Sequence, residues 1–129
     1  MSVDLAKVSC TQEGFQATSS YEADKLTIKL TGEGNLDAVD AIRTVLTGAH
    51  SEAQRVGVKE VVIDLTELEF LTSSGIKHFV SWLREASLLG DEAYAIRFLS
   101  SPKVSWQRRS LQALQIFASK LLTIEVATT

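Results

Sequence analysis

The order of strand-like and helix-like patterns along the chain is the feature that most constrains its fold. Two short strand patterns come first, joined by a turn at residues 22–25, and three pairs of one helix and one strand follow. In the second strand, Leu26, Ile28 and Leu30 alternate with polar residues, as in a strand with one buried face. This order predicts an α/β sandwich with a mainly parallel sheet, to which the first two strands contribute an antiparallel pair.

Glycine and proline positions indicate where these elements begin and end. Gly32 and Gly34 are expected to break the second strand, and Gly48 to end the first long helix, which has Leu36 in its buried stripe. Pro102 suits the first turn of the last helix. The remaining elements are predicted as a strand at 58–65 covered on both faces, a helix closing near 89–90, and strands at 94–99 and 121–126.

Length and composition limit the domain count and the possible partners. A chain of 129 residues, 45% hydrophobic, is predicted to be a single domain over 1–129 with residues 1–12 as a loosely ordered N-terminal segment. The net charge of −3 argues against a nucleic-acid partner. With no long apolar run and no signal peptide, we expect a cytoplasmic protein that does not insert into membranes. Cys10, His50 and His78 lack metal-ligand spacing, so we expect no metal or cofactor.

The stretch FLTSSGIKHF, residues 70–79, places three consecutive hydroxyl residues, Thr72, Ser73 and Ser74, before Gly75 at the end of a buried strand. In parallel sheets this edge carries the functional crevice. One interpretation is a helix cap, in which Ser73 or Ser74 stabilises the first turn by about 1 kcal/mol. The other is a phosphorylation site, because a phosphate on Ser73 would meet free amides of Ser74, Gly75 and Ile76 at a helix N-terminus. Spacing alone leaves both open.

The segment VVIDLTELEFLTSSGIKHFVSWLREA resembles the signature of STAS domains, the fold of bacterial anti-sigma-factor antagonists. That signature is a buried strand ending in Asp, a short stretch, and then Asp-Ser-Ser-Gly-Leu opening a helix. KLTIKLTGEGNLDAVDAIRTVL and AIRFLSSPKVSWQRRSLQALQIFASKLLTIE are similar to the flanking parts of the family, so the resemblance extends over nearly the whole chain. It implies a STAS-like sandwich of about five strands in a mixed, mostly parallel sheet, with helices mainly on one face.

The resemblance also implies roles for individual residues. Ser73 falls on the position that is phosphorylated in family members, with Thr72 and Ser74 as alternates. Asp64 matches the aspartate at the strand end, where its role is structural, and Gly75 matches the motif glycine. Thr72 is a departure, because the antagonists usually have Asp there. The residues expected to contact a partner are Asp37, Leu71, Thr72, Ser74, Gly75 and Ile76.

For function, the resemblance implies a non-enzymatic binding module of bacterial signal transduction and transcription regulation, switched by phosphorylation. Through the loop 71–75 and the following helix it would dock on an anti-sigma factor that is also a serine kinase of the histidine-kinase-like ATPase type. A phosphatase would be a further partner. The alternative within the same fold is a non-catalytic STAS subunit that supports a lipid or solute transporter ATPase.

A hydrolase using Asp64, Ser73 and His78 is a hypothesis from a different class. No Gly-x-Ser-x-Gly sequence surrounds Ser73, and no set of oxyanion donors can be identified. We therefore do not expect catalysis.

Overall fold

The structure is a computed structural model that describes residues 2–127. Met1 of the predicted N-terminal segment, and Thr128 and Thr129 at the end of the predicted domain, lie outside the described residues. The described part contains six strands, three α-helices and three short 3-10 turns. They are β1 (Cys10–Gln12), β2 (Phe15–Glu22), β3 (Lys25–Gly34), α1 (Val39–Val56), β4 (Glu60–Leu71), α2 (Ser73–Ser87), β5 (Ala95–Ser100), α3 (Ser105–Phe117) and β6 (Leu122–Val126), with turns at Leu5–Val8, Leu36–Ala38 and Gly90–Glu92.

The strands form one sheet in the order β1-β2-β3-β4-β5-β6. The pairs β1–β2 and β2–β3 are antiparallel, and the pairs from β3 to β6 are parallel. The predicted mixed α/β sheet is therefore confirmed. It has six strands rather than about five, because the short edge strand β1 is too brief to give a recognisable pattern.

One face of the sheet packs on the helices. Leu26, Val61, Ile96 and Leu122 are paired in register across β3 to β6, and all four belong to the buried core. The strand around Val62 was predicted to be covered on both faces, and Val61, Val62 and Ile63 are all buried, but the face that carries Val62 is covered by side chains of the neighbouring strands. The opposite face is polar and carries the side-chain ion pairs Lys29–Glu67, Glu60–Arg97 and Arg97–Glu125. Val62 lies on that face between Thr27 and Arg97 and is only 4% exposed, because these neighbours shield it.

The N-terminal segment crosses α1 at a glycine. Gly48, predicted to end the helix, lies inside α1, and a Cβ there would overlap the backbone carbonyl of Lys7. The helix ends instead at Gly57, whose φ of +80° is the left-handed conformation of a helix C-terminus. Residues 2–12, expected to be loosely ordered, form a 3-10 turn and β1, with Val8 fully buried. The contact at Gly48 is one of several that place this segment on α1.

Other element boundaries also differ from the predictions. β3 runs through Gly32 to Gly34, because register shifts against β4 absorb the irregular backbone. β4 continues to Leu71, so Asp64 lies within the strand and not at its end. Pro102 lies in the turn before α3, three residues ahead of Ser105, where that helix begins.

Candidate functional site

The hydroxyl cluster lies at the carboxyl end of β4, where α2 begins. Thr72 is the N-cap: its backbone is extended, and its Oγ1 accepts a hydrogen bond from the Gly75 amide at 3.0 Å. Its carbonyl accepts a second bond, from the Ile76 amide, also at 3.0 Å. The prediction that Ser73 or Ser74 caps the helix is therefore wrong, because Thr72 does so one residue earlier.

Ser73 is the first residue of α2 and is exposed, whereas Ser74 is half-buried. Within residues 2–127, the Ser73 hydroxyl has no hydrogen-bond partner, and neither do the backbone amides of Ser73 and Ser74. Of the three amides predicted to meet a phosphate, those of Gly75 and Ile76 already donate to Thr72. The cluster thus separates into a capping hydroxyl at Thr72, an exposed one at Ser73 and one on the half-buried Ser74.

Leu71 and Gly75, both expected to contact a partner, are buried. A Cβ on Gly75 would lie 2.5 Å from Leu71 Cδ1. The glycine therefore makes room for a core side chain rather than for an approaching molecule. Leu71 and Gly75 therefore pack beneath this loop and are not part of its exposed surface.

The turn that precedes α1 lies beside this loop. The Thr72 amide donates to the Gly34 carbonyl at 2.9 Å, which joins the end of β4 to the end of β3. The Asn35 side chain then accepts from the Asp37 amide at 3.1 Å and holds the turn Leu36–Ala38. Asp37 is exposed, and the turn that contains it contacts α2, the helix that begins at Ser73. Ile76, one turn into α2, is half-buried.

Two exposed apolar side chains near this edge were not predicted as site residues. Leu36 was assigned to a buried helical stripe, but it lies in the turn before α1 and is 75% exposed. Phe70, near the end of β4, is 47% exposed. Segments 31–40 and 66–76, which form the edge, contain five carboxylates and no lysine or arginine. The acidic composition of both segments is visible in the sequence and indicates a solvent-facing edge. The sequence does not show that Leu36 and Phe70 are exposed, because an apolar residue in so short a stretch has no periodic pattern around it.

Asp64 and Gln107 hold the irregular part of β4. The Asp64 carboxylate accepts from the Thr66 amide at 2.9 Å and from the Thr66 hydroxyl at 2.6 Å. Gln107, on α3, is fully buried and donates to the carbonyls of Leu65 at 2.6 Å and Leu68 at 3.2 Å. Its own carbonyl oxygen accepts from the Ser101 amide at 2.8 Å. The sequence did not indicate Gln107 as a site residue, because a glutamine followed by Arg108 and Arg109 is expected to lie on the surface.

The geometry does not assemble the residues of the hydrolase hypothesis. Asp64 bonds to Thr66, and no hydrogen bond within residues 2–127 connects it with Ser73 or His78. In the same part of the chain, no group of three or more histidine, cysteine or acidic side chains is placed to hold a metal ion. None of the helices described is both long and apolar enough to span a bilayer.

Comparison with solved structures places this architecture among known folds. An anti-sigma factor antagonist from Mycobacterium paratuberculosis superposes over 92% of this chain and 90% of its own, with a TM-score of 0.66 and 17% identity. Unphosphorylated SpoIIAA, also an anti-sigma factor antagonist, matches over 86% and 87% with a TM-score of 0.57 and 23% identity. The Bacillus cell fate determinant SpoIIAA in its phosphorylated form matches over 86% and 90%, with a TM-score of 0.56 and 20% identity.

At the level of sequence, no family model matches the chain, and neither does any curated protein. The likeness is therefore one of fold. The chain has the STAS fold, the architecture of the anti-sigma factor antagonists, as its sequence predicted.

Proposed function

We propose that this chain is a non-catalytic protein-binding module of bacterial signalling, switched by phosphorylation of Ser73. In the unmodified state the edge around residues 71–76 docks on an anti-sigma factor that is also a serine kinase of the histidine-kinase-like ATPase type. Phosphorylation ends the docking, and a phosphatase restores it. The observation that carries the proposal is that Ser73 has an exposed hydroxyl with no partner in the described chain, at the first position of α2.

Among the three hydroxyls, Ser73 is the best acceptor of a phosphoryl group. The Thr72 hydroxyl is bonded to the Gly75 amide, so modifying it would remove the cap of α2. Ser74 is half-buried, which restricts access for a kinase. Modification of Ser73 breaks no hydrogen bond in the described chain, and the nearby amides of Ser73 and Ser74 are suited to bind the new oxygens.

The added charge explains how modification would release a partner without unfolding the domain. A phosphoryl group adds about −1.5 to −2 charges at pH 7. Next to a helix N-terminus this charge is favourable in the free protein. In a complex that also covers the exposed apolar side chains of Leu36 and Phe70 the phosphoryl group would have to lose water, and burying an unpaired anion is costly.

The chain offers a matched control for testing this. Ser105 is the first residue of α3 and is exposed, as Ser73 is at the start of α2. We would isolate the tagged wild-type protein from its host with its bound partner, and then incubate the purified pair with ATP. Mass spectrometry is expected to find one phosphoryl group on Ser73 and none on Ser105. Ser73→Ala is expected to bind the partner but accept no phosphate.

Phosphate-mimicking variants separate release from misfolding. Ser73→Glu is expected to lose partner binding while its unfolding curve stays close to that of the wild type, and Ser105→Glu is expected to bind normally. The absence of phosphate from Thr72, Ser73 and Ser74 after incubation with ATP would contradict the switch. Capture of a transporter ATPase, with no phosphorylation on adding ATP, would support the alternative role instead.

A further inference from the structure

A buried hydrogen-bond network joins α1, α2 and the residue that precedes β5. The Tyr94 hydroxyl lies 2.8 Å from Trp82 Nε1 and 2.7 Å from His50 Nδ1. Trp82 and Tyr94 are both buried, and their rings stack with centroids 6.4 Å apart. His50 is half-buried at the surface end of the network. These three residues are the polar link between the two helices in this region.

The direction of each bond follows from the chemistry of the donors. An indole N–H can only donate, so the Tyr94 oxygen accepts from Trp82. The Tyr94 hydroxyl then has its own proton to donate, and His50 Nδ1 is the acceptor within reach. When Tyr94 donates to Nδ1, His50 is neutral and carries its proton on Nε2, and this is the tautomer on which the inference below depends.

The imidazole faces a groove of about 450 Å³ between the two helices. The titratable or charged side chains around it are Arg43 from α1, His78 and Glu85 from α2, and Tyr94 from the segment before β5. Burial lowers the pKa of His50 below its ordinary value of 6.5, and the smaller opposing effect of the Glu85 charge raises it. The surroundings thus favour the neutral ring.

We propose that His50, Tyr94 and Trp82 form a proton-sensitive latch between α1 and α2, closed when His50 is neutral and opened when it is protonated. A protonated imidazole has N–H groups at both nitrogens and cannot accept from Tyr94. The Tyr94 hydroxyl would then hold a proton without an acceptor in a buried site, which is unfavourable. The ring relieves this by turning out into the groove, towards water and Glu85, and so uncovers Trp82.

The latch is independent of the function proposed above, although α2 also carries Ser73 at its first position. Because the folded state lowers the pKa of His50, the unfolded chain binds the proton more tightly. The stabilisation is complete above pH 6.5, the ordinary value, and is lost as the pH falls through the lower value of the folded protein. Opening is thus an effect of acidification.

The chain contains two tryptophans, so Trp106→Phe leaves Trp82 as the only indole reporter. In that background, Trp82 emission is expected to shift to longer wavelength as the pH is lowered below 6.5. His50→Asn, which puts an amide oxygen near the place of Nδ1 but cannot titrate, is expected to abolish the shift. His78→Asn, in the same groove, is the control and is expected to keep it.

Nitrogen NMR of the wild-type histidines provides a readout that needs no variant. It is expected to show His50 with its proton on Nε2 at pH 8, and to show both nitrogens protonated in the same pH range as the emission shift. A proton on Nδ1 in the neutral ring would overturn the proposal. So would an emission shift that persists in His50→Asn, or the absence of any shift in a Trp106→Phe chain that folds.

Discussion

The side chain of Leu71 fills the space beside Gly75 that a Cβ atom would occupy, since its Cδ1 lies 2.5 Å from that position. The two residues belong to consecutive elements, the end of β4 and the first turn of α2. Their contact fixes how the helix leaves the strand, and therefore where the exposed Ser73 hydroxyl is held. In this loop a side chain larger than that of glycine would displace the end of the Leu71 side chain.

This contact predicts that the effect of Gly75→Ala on the free energy of unfolding depends on the size of the side chain at position 71. Gly75→Ala is expected to destabilise the protein by about 1–3 kcal/mol, because the methyl group overpacks the site of Leu71. Combined with Leu71→Ala, the same substitution is expected to be neutral or to stabilise by up to about 1 kcal/mol, because alanine is the better helix former. Urea unfolding of the four proteins measures both values. Equal effects of Gly75→Ala in the two backgrounds would show that no such overlap exists.

The hydroxyl cluster predicts different stabilities for neighbouring substitutions. Thr72→Ala removes the side chain that accepts from the Gly75 amide and is expected to cost about 1 kcal/mol. Thr72→Ser keeps an oxygen at that place and is expected to retain most of the stability. Ser73→Ala removes a hydroxyl with no partner in the described chain and is expected to change stability by less than about 0.5 kcal/mol. Thermal or urea unfolding tests the order, and a larger loss at Ser73 than at Thr72 would reverse the assignment of the cap.

Gln107 predicts a large effect from a residue outside the motif. In Gln107→Ala the buried carbonyl of Leu65 loses its donor, which costs about 1–3 kcal/mol, and the half-buried amide of Ser101 loses its acceptor. The loss is expected to be accompanied by faster amide exchange in the irregular part of β4. Gln112 lies on the same helix and is exposed, so Gln112→Ala is the matched control. If the two variants were equally stable, Gln107 would not hold the strand.

The order of elements could be predicted because burial imposes a local period on each of them. Leu26, Ile28 and Leu30 alternate because one side of β3 faces the core. The end of α1 was misplaced because Gly48 looks like a helix terminator, whereas its small size is needed by a backbone segment distant in sequence. Such a contact leaves no local pattern.

The candidate site shows the same division. The junction before α2 was visible as a run of hydroxyls beside a glycine, but which hydroxyl caps the helix depends on the backbone angles at Thr72. The exposure of Leu36 depends on a 3-10 turn ahead of α1, and a helical repeat in the sequence does not distinguish that turn from the helix. Residues that act through tertiary hydrogen bonds, such as Gln107, have no signal of their own.

A buried carboxylate holds the N-terminal segment on α1. Glu52 accepts from Arg55 at 2.6 and 2.9 Å and from the backbone amide of Asp4 at 2.7 Å. Arg55 also donates to the Ser2 carbonyl at 2.9 Å, and Lys7 forms an ion pair with Glu52 at 3.8 Å, so the segment is attached to the pair at three residues. The Arg55 guanidinium and then the Asp4 amide lower the pKa of Glu52 from 4.5 to about 2, against the opposing effect of burial.

The lowered pKa of Glu52 predicts how this attachment responds to acid. A carboxylate whose pKa is depressed on folding contributes stability that is complete above its ordinary value of 4.5 and is lost as the pH falls through about 2. Glu52→Gln is expected to weaken the attachment at neutral pH and to remove this part of the acid dependence. Hydrogen exchange of residues 4–12 against pH measures both effects, with the exposed Gln54 changed to alanine as the control on the same helix. An acid response that is identical in wild type and Glu52→Gln would mean that another group controls the segment. A loss of protection confined to these residues would show that the segment detaches while the α/β core stays folded, as expected because it contacts mainly α1 and β2.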